Sequence, residues 1–108
     1  MGDADILEFI KSCIKRRKIY WTYHVNMRLI GRSITREAIL NSVDKYEIIE
    51  KYPEDKYLPS CLIYTKHAEQ VIHFLAATDI ENDNIRIITT YKPTLDKWEE
   101  DLKTRRKP

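Results

Sequence analysis

Residues 70–91 read QVIHFLAATDIENDNIRIITTY, and this stretch decides the fold class. Residues 70–78 and 85–91 are rich in β-branched and aromatic side chains, a composition typical of strands. Residues 80–84 between them are mostly polar and short enough to form a turn. Because short connections join antiparallel neighbours, we expect an antiparallel pair of strands.

Two more strand patterns precede this pair along the chain. They cover residues 47–52 and 62–65, and the prolines and acidic residues of 53–59 between them are typical of a turn. Residues 66–69 form an equally short connection to the next strand. The sequence therefore predicts a four-stranded, mainly antiparallel sheet.

Three helical patterns come before the strands. Residues 3–17 place apolar side chains at spacings of three and four, as an amphipathic helix requires. Thr22 is a suitable N-cap for a second helix over residues 23–31, and Gly31 is a suitable end. The hydrophobic staple that brackets Thr35 predicts a third helix over residues 36–42, with Thr35 as its cap.

A final helix is predicted after the last strand. Proline cannot continue a central strand, so the strand is expected to end before Pro93. Either Thr94 or Asp96 can cap a helix that ends near Lys103. Residues 104–108 are expected to fray.

These elements predict a single α+β domain of two layers over residues 1–108, with N-terminal helices, the first within residues 1–19, packed on the sheet. A chain of 108 residues, 43% hydrophobic and 33% charged, suits one globular core. Cys13 and Cys61 lack metal-motif spacing and are most simply buried small hydrophobes. No signal peptide or membrane-spanning run is present in the sequence, so a cytoplasmic protein is expected.

One helical pattern carries an unusual set of side chains. Residues 22–32 read TYHVNMRLIGR and place His24, Arg28 and Arg32 at intervals of four. At this spacing the three side chains share one helix face, the His24 face, about one turn apart. Cations and an imidazole on one face can hold a phosphate and move a proton. The alternative is a solvated helix edge whose histidine bonds to a neighbouring loop.

The strands add further candidate residues. His73 interrupts an apolar strand, where it is either a catalytic group beside a cleft or a core histidine with a hydrogen-bond partner. Tyr91 ends the last strand and could donate a proton, stack on a base or rim the core. Arg86 and Lys92, on and just after that strand, are candidates for binding phosphate or nucleic acid.

A basic run and an aromatic cluster leave alternatives open. The KRRK run at residues 15–18 complements the dipole of the first helix, and a phosphate-backbone contact is the alternative. Tyr20, Trp21 and Tyr23 beside it either interleave stacking with phosphate contacts or pack at the domain edge. The first forty residues carry a net charge of +4, which permits an anionic partner without requiring one.

Several kinds of site are absent from the sequence or disfavoured. The chain has no glycine-rich phosphate loop, dinucleotide fingerprint, GxSxG, HExxH or paired CxxC motif. A metal site built from His24, His73 and a carboxylate such as Asp79 is disfavoured, because the adjacent arginines oppose a cation. We therefore expect no metal and no cofactor.

Three strings, TYHVNMRLIGRSIT, VIHFLAATD and IITTYKP, occur in this order and are followed by Trp98. Together they resemble a bacterial and archaeal family, the domain of unknown function forty-two fifty-eight, which is placed with the RelE/ParE/BrnT-like toxin superfamily. The resemblance covers residues 20–105. The family's histidine and two arginines match the His24 face, and its later residues match His73 and Tyr91. The residue after the first histidine is usually alanine in the family and is Val25 here, so that helix is expected to shift slightly.

This resemblance implies the fold more firmly than an activity, since the superfamily includes ribonucleases, gyrase poisons and proteins without an established activity. For a ribonuclease it implies metal-independent cleavage, in which the RNA 2′-hydroxyl attacks its own phosphate. Arg28 and Arg32 would neutralise the developing charge. His24 or His73 would act as base or acid, and Tyr91 would orient the phosphate or stack. The alternative is an inactive protein- or nucleic-acid-binding module that pairs with an antitoxin or forms a homodimer.

Overall fold

A computed structural model describes residues 2–107 of the chain, except the side chain of Arg32. The helices are α1 (Asp3–Arg16), α2 (Tyr23–Arg32) and α3 (Arg36–Asn41), and a single 3₁₀ turn follows at Val43–Lys45. The strands are β1 (Ile19–Trp21), β2 (Glu47–Tyr52), β3 (Ser60–His67), β4 (Gln70–Asp79) and β5 (Asn84–Tyr91). Within the described residues, no helix is long and apolar enough to cross a membrane.

The polar caps predicted for α2 and α3 are confirmed. The Thr22 hydroxyl oxygen accepts a hydrogen bond at 3.2 Å from the backbone N–H three residues later, and Thr35 does the same at 3.0 Å. Each cap satisfies an N–H group that a helix start leaves without a partner. The second helix continues past Gly31, because Ser33 takes the left-handed conformation, with φ of 57°, that ends it.

The sheet has five strands, in the order β1-β5-β4-β3-β2, where four were predicted. β1 lies parallel to β5, with Ile19 opposite Ile85, and the other neighbours are antiparallel. The sequence pattern missed β1 because the three residues Ile19–Trp21 are too few to show strand periodicity. The sheet is therefore mixed, while the α+β class is confirmed.

The predicted C-terminal helix is absent from the described residues, and a turn takes its place. Trp98 and Arg105 pair as an isolated antiparallel bridge. Between them, the Asp101 carboxylate accepts hydrogen bonds from the two backbone N–H groups that follow Leu102. Leu102 itself takes the left-handed conformation, with φ of 57°. An aspartate that bonds locally to the backbone competes with helix formation, which explains why the helical pattern failed.

The helices cover one face of the sheet. The core between them contains buried side chains from α1, α2, α3 and the strands, among them Ile10, Cys13, Ile14, Val25, Ile39, Ile63, Ile72, Phe74, Ile85 and Ile87. Full burial of one large aliphatic or aromatic side chain contributes about 1.5–3 kcal/mol, so this layer holds the helices on the sheet. Cys13 and Cys61 are free and buried, which agrees with a packing role.

The other face of the sheet, which we call the open face, carries three cross-strand rows. The first row contains Tyr91, His73 and Tyr64, the second Thr89, Leu75 and Leu62, and the third Arg86, Ala77 and Ser60. Residues 94–106, the C-terminal segment, lie over the first row. There the Leu102 carbonyl oxygen is 2.7 Å from His73 Nε2, and Lys103 Nζ is 4.8 Å from the centroid of the Tyr64 ring. The second and third rows border clefts on the surface.

Candidate functional site

A cleft opens where α2 and the C-terminal segment meet at the end of β5. Its volume is about 510 Å³, and its lining residues are Arg28, Thr89, Tyr91, Lys92, Pro93, Thr94, Lys97, Trp98 and Arg105. Four of these nine residues are lysine or arginine, and none is acidic. We call this site the basic cleft. A concave site with such an excess of one charge concentrates anions.

Among the described side chains, Arg28 is the cation that α2 contributes to the basic cleft. Its side chain is half-buried, and its Nε donates a hydrogen bond to His24 Nε2 at 3.3 Å. Accepting this bond requires an Nε2 without a proton, so in this arrangement the ring proton of His24 lies on Nδ1. A single hydrogen bond of this kind contributes about 0.5–1.5 kcal/mol, so an anion in the cleft can draw Arg28 away and free the imidazole nitrogen.

His73 lies buried beneath Tyr91 and is bonded through both ring nitrogens. Nε2 is 2.7 Å from the Leu102 carbonyl oxygen, and Nδ1 is 3.2 Å from the Tyr91 hydroxyl oxygen. Since a carbonyl oxygen can only accept, Nε2 carries the proton and Nδ1 accepts from the Tyr91 hydroxyl group. Burial lowers the pKa of His73 and outweighs the opposing effect of the bond to Leu102. Burial also raises the pKa of Tyr91 to about 12, so Tyr91 stays protonated at neutral pH.

Arg105 and Trp98 hold the opposite wall of the basic cleft. The Arg105 guanidinium donates two hydrogen bonds of 2.9 Å to the Glu50 carboxylate, which lowers the pKa of Glu50. It also stacks on Trp98, 4.6 Å from the ring centroid. Trp98 is 2% exposed and meets the His73 ring edge-on at 4.5 Å. A bidentate pair and a stacked ring fix the guanidinium before any ligand binds.

The structure brings several of the predicted site residues together. Arg28, Tyr91 and Lys92 line the basic cleft, and His24 adjoins it through its bond to Arg28. His73 has no exposed surface and reaches the cleft only through Tyr91. These five residues therefore form one connected site.

Two other predicted residues do not join this site. Arg86 pairs with the buried carboxylate of Asp79 at 3.6 Å, and its guanidinium lies 6.0 Å from the centroid of the Tyr20 ring, on the third row of the open face. The side chain of Arg32 lies outside the described part of the chain, so its phosphate-binding role stays a prediction.

The sequence pattern missed two cations of the basic cleft, Lys97 and Arg105. Both belong to the C-terminal segment, where a helix and a frayed tail were predicted. The one signal that could have indicated Arg105 is the basic composition of residues 103–107. Nothing local in the sequence places either cation beside Tyr91.

The KRRK run at the end of α1 makes contacts that serve the fold. Arg16 donates hydrogen bonds of 2.6 and 2.8 Å to the Asp83 carboxylate, which precedes β5. Arg17 donates to the Ile14 carbonyl oxygen at 2.6 Å and takes the left-handed conformation that ends the helix. Of the two alternatives for the KRRK run, these contacts support its role at the end of α1.

Replacing His73 by glutamine is expected to make the stability of the fold less sensitive to acid. Because the folded protein has a lowered His73 pKa, the unfolded chain takes up this proton first as the pH falls through about 6.5. The contribution of neutral His73 to the free energy of unfolding is therefore complete above that pH and is lost below it. Glutamine can still donate to Leu102, but it does not titrate.

Urea unfolding at about pH 7.5 and about pH 5.5 measures this effect. We expect the free energy of unfolding to fall further on acidification in the wild type than in His73→Gln. The other two histidines are present in both proteins, so they do not account for a difference between them. Equal falls in the two proteins would contradict a lowered His73 pKa.

Comparison with known proteins yields one family match. A family model described as "Domain of unknown function (DUF4258)" matches residues 21–92. The matched residues include α2, the four longer strands and one wall of the basic cleft, whereas the C-terminal segment lies beyond them. No curated protein and no solved structure matches the chain.

Proposed function

Since the chain belongs to the family described as a domain of unknown function (DUF4258), whose description names no activity, we propose a function from the geometry of the basic cleft. The protein binds an RNA phosphodiester in this cleft and cleaves it without a metal ion. One observation carries this proposal. Among the described residues, four cations and no carboxylate line the cleft beside Tyr91, one of the four, Arg105, is paired with Glu50 behind the wall, and His24 bonds to another, Arg28.

In the proposed reaction the RNA 2′-hydroxyl attacks the adjacent phosphorus. The bond from phosphorus to the 5′ oxygen breaks, which leaves a 2′,3′-cyclic phosphate and a 5′-hydroxyl group. His24 takes the proton of the 2′-hydroxyl once the phosphate has drawn Arg28 away from Nε2. A lysine of the cleft, Lys92 or Lys97, supplies a proton to the leaving oxygen.

The remaining cleft residues stabilise and orient the reacting groups. Arg28 and Lys92 neutralise the charge that develops on the phosphate oxygens, an electrostatic effect that is usually the largest in such reactions. The Tyr91 ring stacks on the adjacent base and so positions the nucleotide. His73 acts through Tyr91, whose proton it holds.

His24→Ala is expected to reduce RNA cleavage by about 10²–10⁴-fold, the usual contribution of a general base. Initial rates on a fluorescent single-stranded RNA, in buffer that contains a chelator, measure this loss. Tyr23→Ala is the matched control, because Tyr23 precedes His24 on α2 and is 81% exposed. Undiminished cutting by His24→Ala would contradict the assigned base, and cutting that the chelator abolishes would contradict metal independence.

A second candidate function, RNA binding without cleavage, is favoured by the state of His73. With that imidazole buried and bonded on both nitrogens, His24 is the one histidine among residues 2–107 that adjoins the cleft at the surface. In this case Arg28→Ala weakens RNA binding, measured by fluorescence anisotropy, while the wild type leaves the RNA intact.

The sequence resemblance supports a further proposal, that the domain is a cytoplasmic toxin of the RelE/ParE/BrnT-like superfamily whose partner is an antitoxin. An antitoxin would restrain such a nuclease by covering the basic cleft. Expression should then arrest growth, and a co-expressed neighbouring gene should relieve the arrest. If His24→Ala still arrests growth, toxicity does not depend on RNA cleavage by this site.

A further inference from the structure

The basic cleft continues into two more clefts on the open face of the sheet. The second cleft, about 280 Å³, shares Thr89, Tyr91 and Arg105 with the basic cleft. The third, about 360 Å³, shares Asp55 with the second. The three clefts make one groove, which we call the open-face groove, from the end of β5 back toward its beginning.

The far end of the open-face groove carries exposed aromatic rings beside cations. Tyr57 is 84% exposed, and the Lys56 ammonium lies 5.3 Å from its ring centroid. Tyr20 lies beside this end and lines a separate cleft; it is 61% exposed, with the Arg86 guanidinium 6.0 Å from its ring centroid. Arg86 and Tyr57 line the third cleft together. Exposed aromatic rings in a partly basic groove are platforms on which unpaired bases stack.

Charge is distributed unevenly along the open-face groove. The basic cleft has no acidic lining residue, whereas Asp55 borders the other two clefts and Asp79 pairs with Arg86. Leu62 and Leu75 lie between the two ends. The basic end therefore suits phosphate groups, while the apolar middle and the aromatic end suit the faces of bases.

The open-face groove is long enough for several nucleotides. On β4 its ends are marked by His73, opposite Tyr91, and Ala77, opposite Arg86. Four residues of strand span about 13 Å, at about 3.3 Å per residue. Because a fully stacked strand of nucleic acid advances by about 3.4 Å per nucleotide, this span holds up to about four nucleotides, and fewer when the strand is extended.

We infer that the open-face groove is the path of a single-stranded RNA, with a phosphate in the basic cleft and unpaired bases on Tyr57 and Tyr20. This inference rests on the proposed function and adds its substrate class, a single strand longer than a dinucleotide. A duplex does not fit this chemistry, because paired bases keep their faces stacked within the helix and cannot lie on protein side chains.

The test compares a dinucleotide with an oligouridylate of about eight nucleotides. Both carry 2′-O-methyl groups, so attack by a 2′-hydroxyl cannot cleave them. Fluorescence anisotropy gives the dissociation constants for the wild type, Tyr57→Ala, Tyr57→Trp and Arg86→Ala. Tyr57 is exposed and lies outside the strands, so Tyr57→Ala is expected to leave the fold intact. It keeps the test valid if Arg86→Ala disturbs the fold by removing the partner of Asp79.

We expect the wild type to bind the longer oligomer at least about tenfold more tightly than the dinucleotide, since stacking of one base supplies about that factor. Tyr57→Ala and Arg86→Ala should each lose about tenfold for the longer oligomer, with no change for the dinucleotide. Tyr57→Trp keeps an aromatic platform and should bind both as the wild type does.

Tyr23→Ala is the matched control, because it removes a tyrosine of nearly equal exposure from α2, outside the open-face groove. The proposed path would be overturned if the wild type bound both oligomers with equal affinity, or if Tyr57→Ala lost the same affinity for both. The basic cleft would then remain an RNA site. Tighter binding of a duplex of the same length would overturn the choice of a single strand. If the wild type binds neither oligomer and cuts no RNA, the proposed function itself fails.

Discussion

Arg28→Ala is expected to lower the rate of RNA cleavage by about 10²–10³-fold, as removal of one donor from a site of developing negative charge does in other enzymes. Arg28 is a cation that α2 brings to the basic cleft, and its Nε also bonds to His24. Its loss therefore removes charge from the phosphate site and changes the surroundings of the proposed base. Initial rates on a fluorescent single-stranded RNA measure the effect.

Two further variants separate this effect from a general loss of positive charge. Arg36→Ala removes an exposed arginine of α3 that stacks on Trp21 outside the cleft, and it is expected to cut RNA at nearly the wild-type rate. Arg28→Lys keeps the charge but loses the planar guanidinium fork, so only part of the rate should return. Equal rates for Arg28→Ala and Arg36→Ala would contradict a role for the basic cleft.

Trp98→Ala is expected to lower the free energy of unfolding by about 3–5 kcal/mol, the range for removal of a large buried aromatic side chain. Trp98 is 2% exposed and is the largest of the fully buried side chains. It lies between the His73 ring at 4.5 Å and the Arg105 guanidinium at 4.6 Å. Its removal leaves a cavity and also loosens one wall of the basic cleft, so RNA cleavage should fall with stability. Urea unfolding at neutral pH measures the first effect.

Leu95→Ala is the control in the same segment, because Leu95 is 56% exposed and its removal should change stability by less than about 0.5 kcal/mol. Trp98→Phe should fall between the wild type and Trp98→Ala, since it keeps most of the ring volume. A loss below about 1 kcal/mol for Trp98→Ala would mean that the C-terminal segment does not pack on the open face in solution.

Much of the fold could be predicted from the sequence because its signals are local. The caps at Thr22 and Thr35 act on backbone groups only three residues away. The four longer strands have the composition and short connections that predict antiparallel pairing. The three residues of β1 carry no comparable signal, and only their parallel pairing with β5 makes them a strand.

The C-terminal segment could not be predicted, because distant contacts determine its conformation. Arg105 bonds to Glu50, 55 residues away in the chain, and the Leu102 carbonyl oxygen accepts from His73. The helical spacing of Trp98 and its neighbours is real in the sequence. The local hydrogen bonds of Asp101 and the distant contacts outweigh it.

The candidate site shows the same division between local and distant information. The contact between His24 and Arg28 follows from a spacing of four on a helix, and it is present at 3.3 Å. The position of His73 under Tyr91 requires the register of β4 and β5, in which the two residues lie opposite each other. The burial of His73 and the direction of its hydrogen bonds depend on the C-terminal segment, which the sequence pattern misassigned.

The chemistry of the new RNA ends tests most directly the central claim, that the basic cleft cleaves RNA without a metal ion. A single-stranded RNA is incubated with the purified wild-type protein in the presence of a chelator, and the products are analysed by mass spectrometry. We predict fragments that end in a 2′,3′-cyclic phosphate and begin with a 5′-hydroxyl group, and that are lost with Arg28→Ala. Intact RNA, or fragments with 3′-hydroxyl and 5′-phosphate ends, would contradict the claim.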